Sequence, residues 1–515
     1  MRTFLGIGIC IVVLLTTGAA SGVDWSGPGN SWDNGLNWTG DSKPTAGQVA
    51  NFAAGVPTTG GEKLIYLNDN QVCDSLTIST ETHIVYWYPE NDASAGYYLT
   101  LSSGDITDSA SPVSVHANLK LGDAKAVWNV NSDLYIGAAT AITNYTGRGV
   151  DVDETVAGTD IEKTGTGVLK LSGTALSGKV ATGNHLNITG TFYIREGRVE
   201  TVGDAGGIGT AGKLFDIVLG NDTMAAAAAI DIGRGGTVYP DVTVAAGNMA
   251  KSIENSHGHS GGHYSGDFTL NDSLIVKALG PMELAGDWSG AGGVTKQGGG
   301  NAAFIGDCVT YSGTTVVEAG ILFVNATTSG QGDYTVQSGA GLGGSGTIGL
   351  SASTITIDNG GHLLPGGYSL LRTGAQSVGT LTIDGDLLLD NDSQLDFQLG
   401  RDYGVDNGPG VSYDTIVLLS DLTLDGTLNV TQEAGFNTDN GIYELISGID
   451  TLKNNGLETT GLDGVDHWID TTQEGYVYLR TGETGPPEIP EPGTMLLLGT
   501  GVLGALGFIR RRRMK

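Results

Sequence analysis

Residues 163–173 read KTGTGVLKLSG, and residues 190–197 read GTFYIREG. Both stretches return downstream, as KQGGGNAAFIG at 296–306 and GTTVVEAG at 313–320. The offsets are 133 and 123 residues, so the copies differ by one ten-residue insertion. Each unit joins a short alternating apolar run to glycine-marked corners. Alternation with a period of two puts apolar side chains on one face of a strand and Thr, Ser or Lys on the other. The same grammar recurs in Ser75–Ile78, Ser353–Ile357, Gly379–Ile383 and Asp421–Leu424, with turn pairs at Asp384-Gly385 and Asp425-Gly426. The alanine run 225–229, among glycine and β-branched neighbours, reads as a buried strand rather than a helical turn. Short strands repeated at glycine corners are what a β-solenoid requires, because each turn buries its apolar face only against the next.

Composition agrees. Of 515 residues 85 are Gly and 13 are Pro, with no three-residue glycine period, which excludes collagen. A hydrophobic fraction of 39% excludes global disorder. Helical folds are excluded too, since each interior glycine costs a helix about 1 kcal/mol. No long amphipathic helix is read between residues 23 and 485. The fold expected is all-β, a single elongated stack between two targeting signals, with the body divided at 23–150 (a Trp-rich N-terminal region), 151–350 (the repeats) and 351–485.

The formal net charge of −31 understates the body. Residues 21–485 hold 19 basic side chains against 54 acidic ones. A surface that acidic repels phosphate backbones, so nucleic acid is excluded as a partner. Cys73 and Cys308 are too few for a disulfide framework and, in a solenoid, too many turns apart to bridge.

The two ends carry addresses. Arg2, the apolar run Phe4–Leu15 and the small residues Gly18–Gly22 make a signal peptide over 1–22, cleaved by signal peptidase after Ala20 or Gly22. At the other end, 486–515, Pro490-Glu491-Pro492 precedes an apolar segment at 495–509 and the cluster Arg510, Arg511, Arg512 and Arg513. A basic cluster directly after an apolar stretch is a stop-transfer, cytoplasmic-side signal. This tail resembles the PEP-CTERM sorting signal of Gram-negative exopolysaccharide-producing bacteria. The resemblance implies a transient hydrophobic helix in the inner membrane, recognition by an exosortase-type protease, and release to the envelope, surface or matrix. An uncleaved membrane anchor is the alternative.

The body motifs resemble the autotransporter-associated β-strand repeat, roughly K-x-G-x-G-x-L-x-L-S-G followed by Y-x-G-x-T-x-V-x-x-G-x-L. In the second copy Ala302, Ala303 and Phe304 replace the expected leucine pair. Gly343–Ile348, Leu364–Gly366 and the aromatic series Trp25, Trp32, Trp38 and Phe52 also fit that family. The resemblance implies a right-handed parallel β-helix of the passenger type. The sorting tail stands where the family's transporter barrel would follow.

Candidate chemistry is sparse. Gly207, Gly209 and Gly212, like Gly344, Gly346 and Gly349, match a dinucleotide fingerprint, but lack the following helix whose dipole would hold a pyrophosphate. His257, His259 and His263 have a spacing that a Zn²⁺ or Cu²⁺ ion could share, against a solvated loop as the plainer reading. The acidic runs Asp151–Glu154 and Asp390–Asp392 are rich enough in oxygen for Ca²⁺, but neither has the EF-hand pattern. Trp25, Trp32 and Trp38 are either a sugar-stacking platform or a cap over the end of the solenoid. The reading is an exported, non-enzymatic structural or adhesion-type solenoid associated with exopolysaccharide. A carbohydrate-binding protein is the alternative, and a polysaccharide-degrading β-helix stands third.

Overall fold

The computed structural model describes residues 21–482 apart from internal stretches, the longest being 87–97, 138–159, 173–189 and 401–412. The C-terminal targeting segment 486–515, and the N-terminal one 1–22 except for Ser21 and Gly22, lie outside the described residues. Within them the chain is almost wholly β; its one helical element is a 3₁₀ turn at Gly35–Asn37. The chain divides into two compact units, Met1–Gly286 and Asp287–Lys515. Each is a β-solenoid, as expected, whose turns (rungs) carry two or three short strands in parallel register with those of the next.

In the first unit one sheet runs through Gln48–Phe52, Leu76–Ile78, Ile106–Asp108, Ala126–Val130, Ile161–Thr164, Thr191–Ile194, Asp216–Leu219, Val242–Val244 and Phe268–Leu270. A second sheet runs in step through Glu62–Leu67, Thr82–Tyr86, Val113–His116, Asp133–Gly137, Val168–Ser172, Gly197–Val202, Ala228–Asp231, Lys251–Asn255 and Leu274–Ala278. The alanine run thus does contribute a buried strand. The second unit repeats the plan with three strands per rung, for example Val294–Gln297, Thr315–Val317 and Tyr334–Val336 on one sheet, with Ala302–Phe304, Gly320–Val324 and Ala340–Gly344 on another.

Alternation fixes the core. Leu76, Ile106 and Trp128 stand in one inward column and Ile84, Val115, Ile136 and Leu171 in another, all 0–3% exposed. Each such side chain contributes about 1.5–3 kcal/mol by leaving water. Adjacent rungs are about 4.8 Å apart, so these columns are continuous stacks.

The start of the first unit and the end of the second are each closed off. Trp25, Trp32 and Trp38 pack on Phe52, the tryptophan pairs 4.9 Å apart and edge-on. They are 2%, 0% and 1% exposed, so the rings cap the first rung and present no face for sugar stacking. At the other end Ile442–Ser447, Tyr476–Thr481 and His467–Asp470 pair antiparallel, which breaks the ladder and ends growth of the sheet.

Candidate functional site

The repeated motif builds a corner, and its lysine is the unexpected member. Lys163 points into the core between Trp128 and Ile194 and is 0% exposed. Its Nζ donates to the Thr164 carbonyl at 3.2 Å and the Gly165 carbonyl at 2.5 Å. Lys296, also 0% exposed, donates to the carbonyls of Gln297, Gly298 and Ala319 at 3.0, 2.8 and 2.9 Å. Burial pushes both ammonium groups down to about 8, with Glu196 opposing the shift at Lys163. The next rung closes each corner: Arg195 N–H bonds the Lys163 carbonyl and Glu318 N–H the Lys296 carbonyl, both at 2.9 Å.

The two copies occupy different corners. Lys163 lies on a first-sheet strand, whereas Lys296 lies on the second strand of its rung, each next to last in its strand. The motif therefore encodes a bend of the chain, irrespective of which faces it joins, and its near-repeat is a repeat of corner chemistry.

On the outer face of the first sheet an open cleft of about 460 Å³ is lined by Asp105, Thr107, Val127, Asn129, Asn131, Thr164, Gly165 and Glu196. Thr107, Asn129 and Thr164 are in direct register on three successive rungs. Asn129 accepts one bond from Asn131 Nδ2 at 3.1 Å. Among the described residues the two threonine hydroxyls and Asn129 Nδ2 make no hydrogen bond. Asp105 accepts from Val127 N–H at 2.7 Å and Glu196 from Gly165 N–H at 3.2 Å. Burial raises the Asp105 carboxyl above its ordinary value. Beside the cleft, Tyr193 lies under Lys125 and Arg195, both of which also pair with Glu162.

On the second sheet Lys170, Glu200, Asp231, Glu254 and Lys277 form one outward column. Arg198 staples it, reaching Asp231 at 2.8 Å and Glu254 at 3.1 Å. Ser252 donates to Glu254 and Ser256 to Asp231. These carboxylates are engaged in cross-rung cohesion.

The remaining sequence candidates do not converge. His257 and His259 lie outside the described residues. His263 sits on the strand Gly262–Tyr264 and pairs with Glu283 at 2.9 Å. Among the described residues no group of three or more His, Cys, Asp or Glu is placed to hold a metal. Asp390 and Asp392 flank an exposed turn, Asp151–Glu154 lie outside the described residues, and Cys73 and Cys308 are free thiols. Gly207, Gly209 and Gly212 lie outside them as well, while a Cβ on Gly344 or Gly346 would press on the Val324 or Ala326 carbonyl of the rung before. No described helix is long and apolar enough to cross a membrane, and the segment 495–509 is not among those residues.

Sequence reasoning also missed a polar network on the third sheet of the second unit, where His362 Nδ1 meets Asp396 at 2.7 Å and Asn429 Nδ2 donates to Asp396 at 2.7 Å. Asp396 raises the His362 value above 6.5. The folded state therefore holds this proton more tightly, and the stabilisation is complete below about 6.5 and lost as pH rises through the folded value. Thermal melts of His362→Gln should lose that part of the pH dependence; an unchanged profile would refute the linkage.

Comparison with known proteins gives two matches. Residues 488–513 match the PEP-CTERM protein-sorting motif. The chain is also similar to the adhesin BmaC autotransporter of Brucella suis biovar 1 (strain 1330), 32% identical over 185 residues. That alignment covers 36% of this chain and 5% of the relative, so the chain spans only a small part of the adhesin's length.

Proposed function

We propose that the chain is an exported, surface-displayed solenoid of adhesive type, without enzymatic activity, sorted through its C-terminal signal and associated with exopolysaccharide. The sorting motif at 488–513, behind a solenoid that exposes long polar faces, carries this reading. Similarity to a bacterial adhesin over 185 residues supports it. The inner membrane would hold the tail until an exosortase-type protease removes it. At the other end Ser21–Asp24 pairs residue by residue with Gln48–Asn51. Cleavage after Ala20 preserves that strand, whereas cleavage after Gly22 would remove half of it.

Fractionation of the host expressing the full chain or a chain ending at Ile489 tests the sorting. The full chain should reach the surface or medium in a form shortened at its C-terminus. The truncated chain should miss the surface fraction. Identical distributions would overturn the reading.

A further inference from the structure

We propose that the cleft over Thr107, Asn129 and Thr164 is a binding site for an extended, neutral, hydroxyl-rich glycan lying across successive rungs. This inference deepens the adhesive reading above and rests on it. Three features of the cleft select that ligand.

The first is unspent hydrogen-bonding capacity. The two hydroxyls and the Asn129 amide are half-buried, in register, and unbonded among the described residues. Hydroxyl groups both donate and accept, so Thr–Asn–Thr pairs with a polyol without moving a proton or a charge. The second is periodicity. The three groups repeat at the rung spacing of about 4.8 Å, which suits a polymer that offers similar hydroxyls at each unit rather than a compact metabolite. Val127, 37% exposed, adds an apolar patch for the C–H face of a sugar ring.

The third is charge. Asp105 and Glu196 flank the cleft, and its lining contains no cationic side chain. The cations around it are committed: Lys163 is buried and donates to the Thr164 and Gly165 carbonyls, and Lys125 and Arg195 pair with Glu162 and the Tyr193 ring. A polyanion entering here would meet two carboxylates and no free counter-charge. The cleft is therefore selective against uronic-acid polymers.

The test is calorimetric titration of the full exported chain with cellohexaose, a neutral glucan hexamer, and with a galacturonic acid hexamer. The neutral hexamer should bind and the acidic one should not. Asn129→Ala and the double variant Thr107→Val/Thr164→Val should each weaken binding at least tenfold. Thr243→Val, on the same sheet but away from the cleft, should leave it unchanged. Melting temperatures separate lost contacts from lost fold, and Thr→Val keeps the side-chain shape. Binding that survives the cleft variants, preference for the acidic hexamer, or no binding of the neutral hexamer would overturn the proposal. Surface localisation of the cleft variants is read separately: a cleft that fails in a correctly sorted chain leaves the sorting reading standing.

Discussion

Replacing Lys296 with Met should lower the unfolding free energy of the second unit by about 3 kcal/mol, read as an earlier denaturant midpoint in the fluorescence of the buried Trp288. Two opposed effects set the size. Met keeps the stem but takes away the donor to three carbonyls, those of Gln297, Gly298 and Ala319. These three bonds are part-buried; with the stem still covering them, acceptors left without partners cost about 1–3 kcal/mol each, roughly 6 together. Against this, Met no longer has to bury an ammonium. The fall of the Lys296 value from 10.5 to about 8 puts that relief at about 3 kcal/mol. The carbonyls win. A shift of under about 0.5 kcal/mol would mean that they find other donors and that the lysine is dispensable.

The same lysine sets a pH signature. The folded state releases its proton at about 8, before the unfolded chain does at about 10.5. Between those values the unfolded state binds more protons, so stability rises with pH across that window. The burial cost is fully present below it. In the Met variant the rise should shrink.

Strands, corners and the C-terminal sorting motif were legible in the sequence because each obeys a local rule. Period-two alternation in Thr354–Ile357 or Thr380–Ile383 places Ile355, Ile357, Leu381 and Ile383 inside, as it must when one face is buried. The buried lysines were visible as letters and opaque as structure, since lysine is almost never fully buried and nothing in KxGxG states that the stem turns inward. The repeats read as two copies of one strand-and-corner unit. The copies proved to be corners at different positions, because a bend of this kind can join any two faces. The cleft was illegible for another reason: Thr107, Asn129 and Thr164 are brought together only by cross-rung register. Rung length varies, and cross-rung bonds link residues 20 apart at Asn325 and Ser345 but 35 apart at Gln394 and Asn429. No fixed period exists to predict which residues stack. Aromatic spacing left two readings for Trp25, Trp32 and Trp38, platform or cap, with the cap the plainer one, and their burial agrees with the cap.

The corner makes its sharpest prediction at Gly320. Its φ is +66°, and a Cβ there would press on the Gly300 carbonyl, come within 2.6 Å of the Gly298 carbonyl and 2.9 Å of Lys296 Nζ. Left-handed backbone alone costs an L-residue about 1–2 kcal/mol. The contacts add more, since two of the three obstacles are backbone of the preceding corner and cannot swing aside. Gly320→Ala should therefore cost at least about 4 kcal/mol, more than Lys296→Met. The control lies one rung below in the same motif, where a Cβ on Gly299 would meet nothing within 4 Å. Gly299→Ala should stay within about 0.5 kcal/mol of wild type. Equal effects at the two glycines would show that the corner does not close over the lysine. If it does close, Lys296→Met and Gly320→Ala both act on the Gly298 carbonyl and the space around Lys296 Nζ, and the double variant should lose clearly less than the sum of the two single losses. Additive losses would place the lysine and the glycine in separate devices, and the repeated motif would then encode a bend and a buried cation independently.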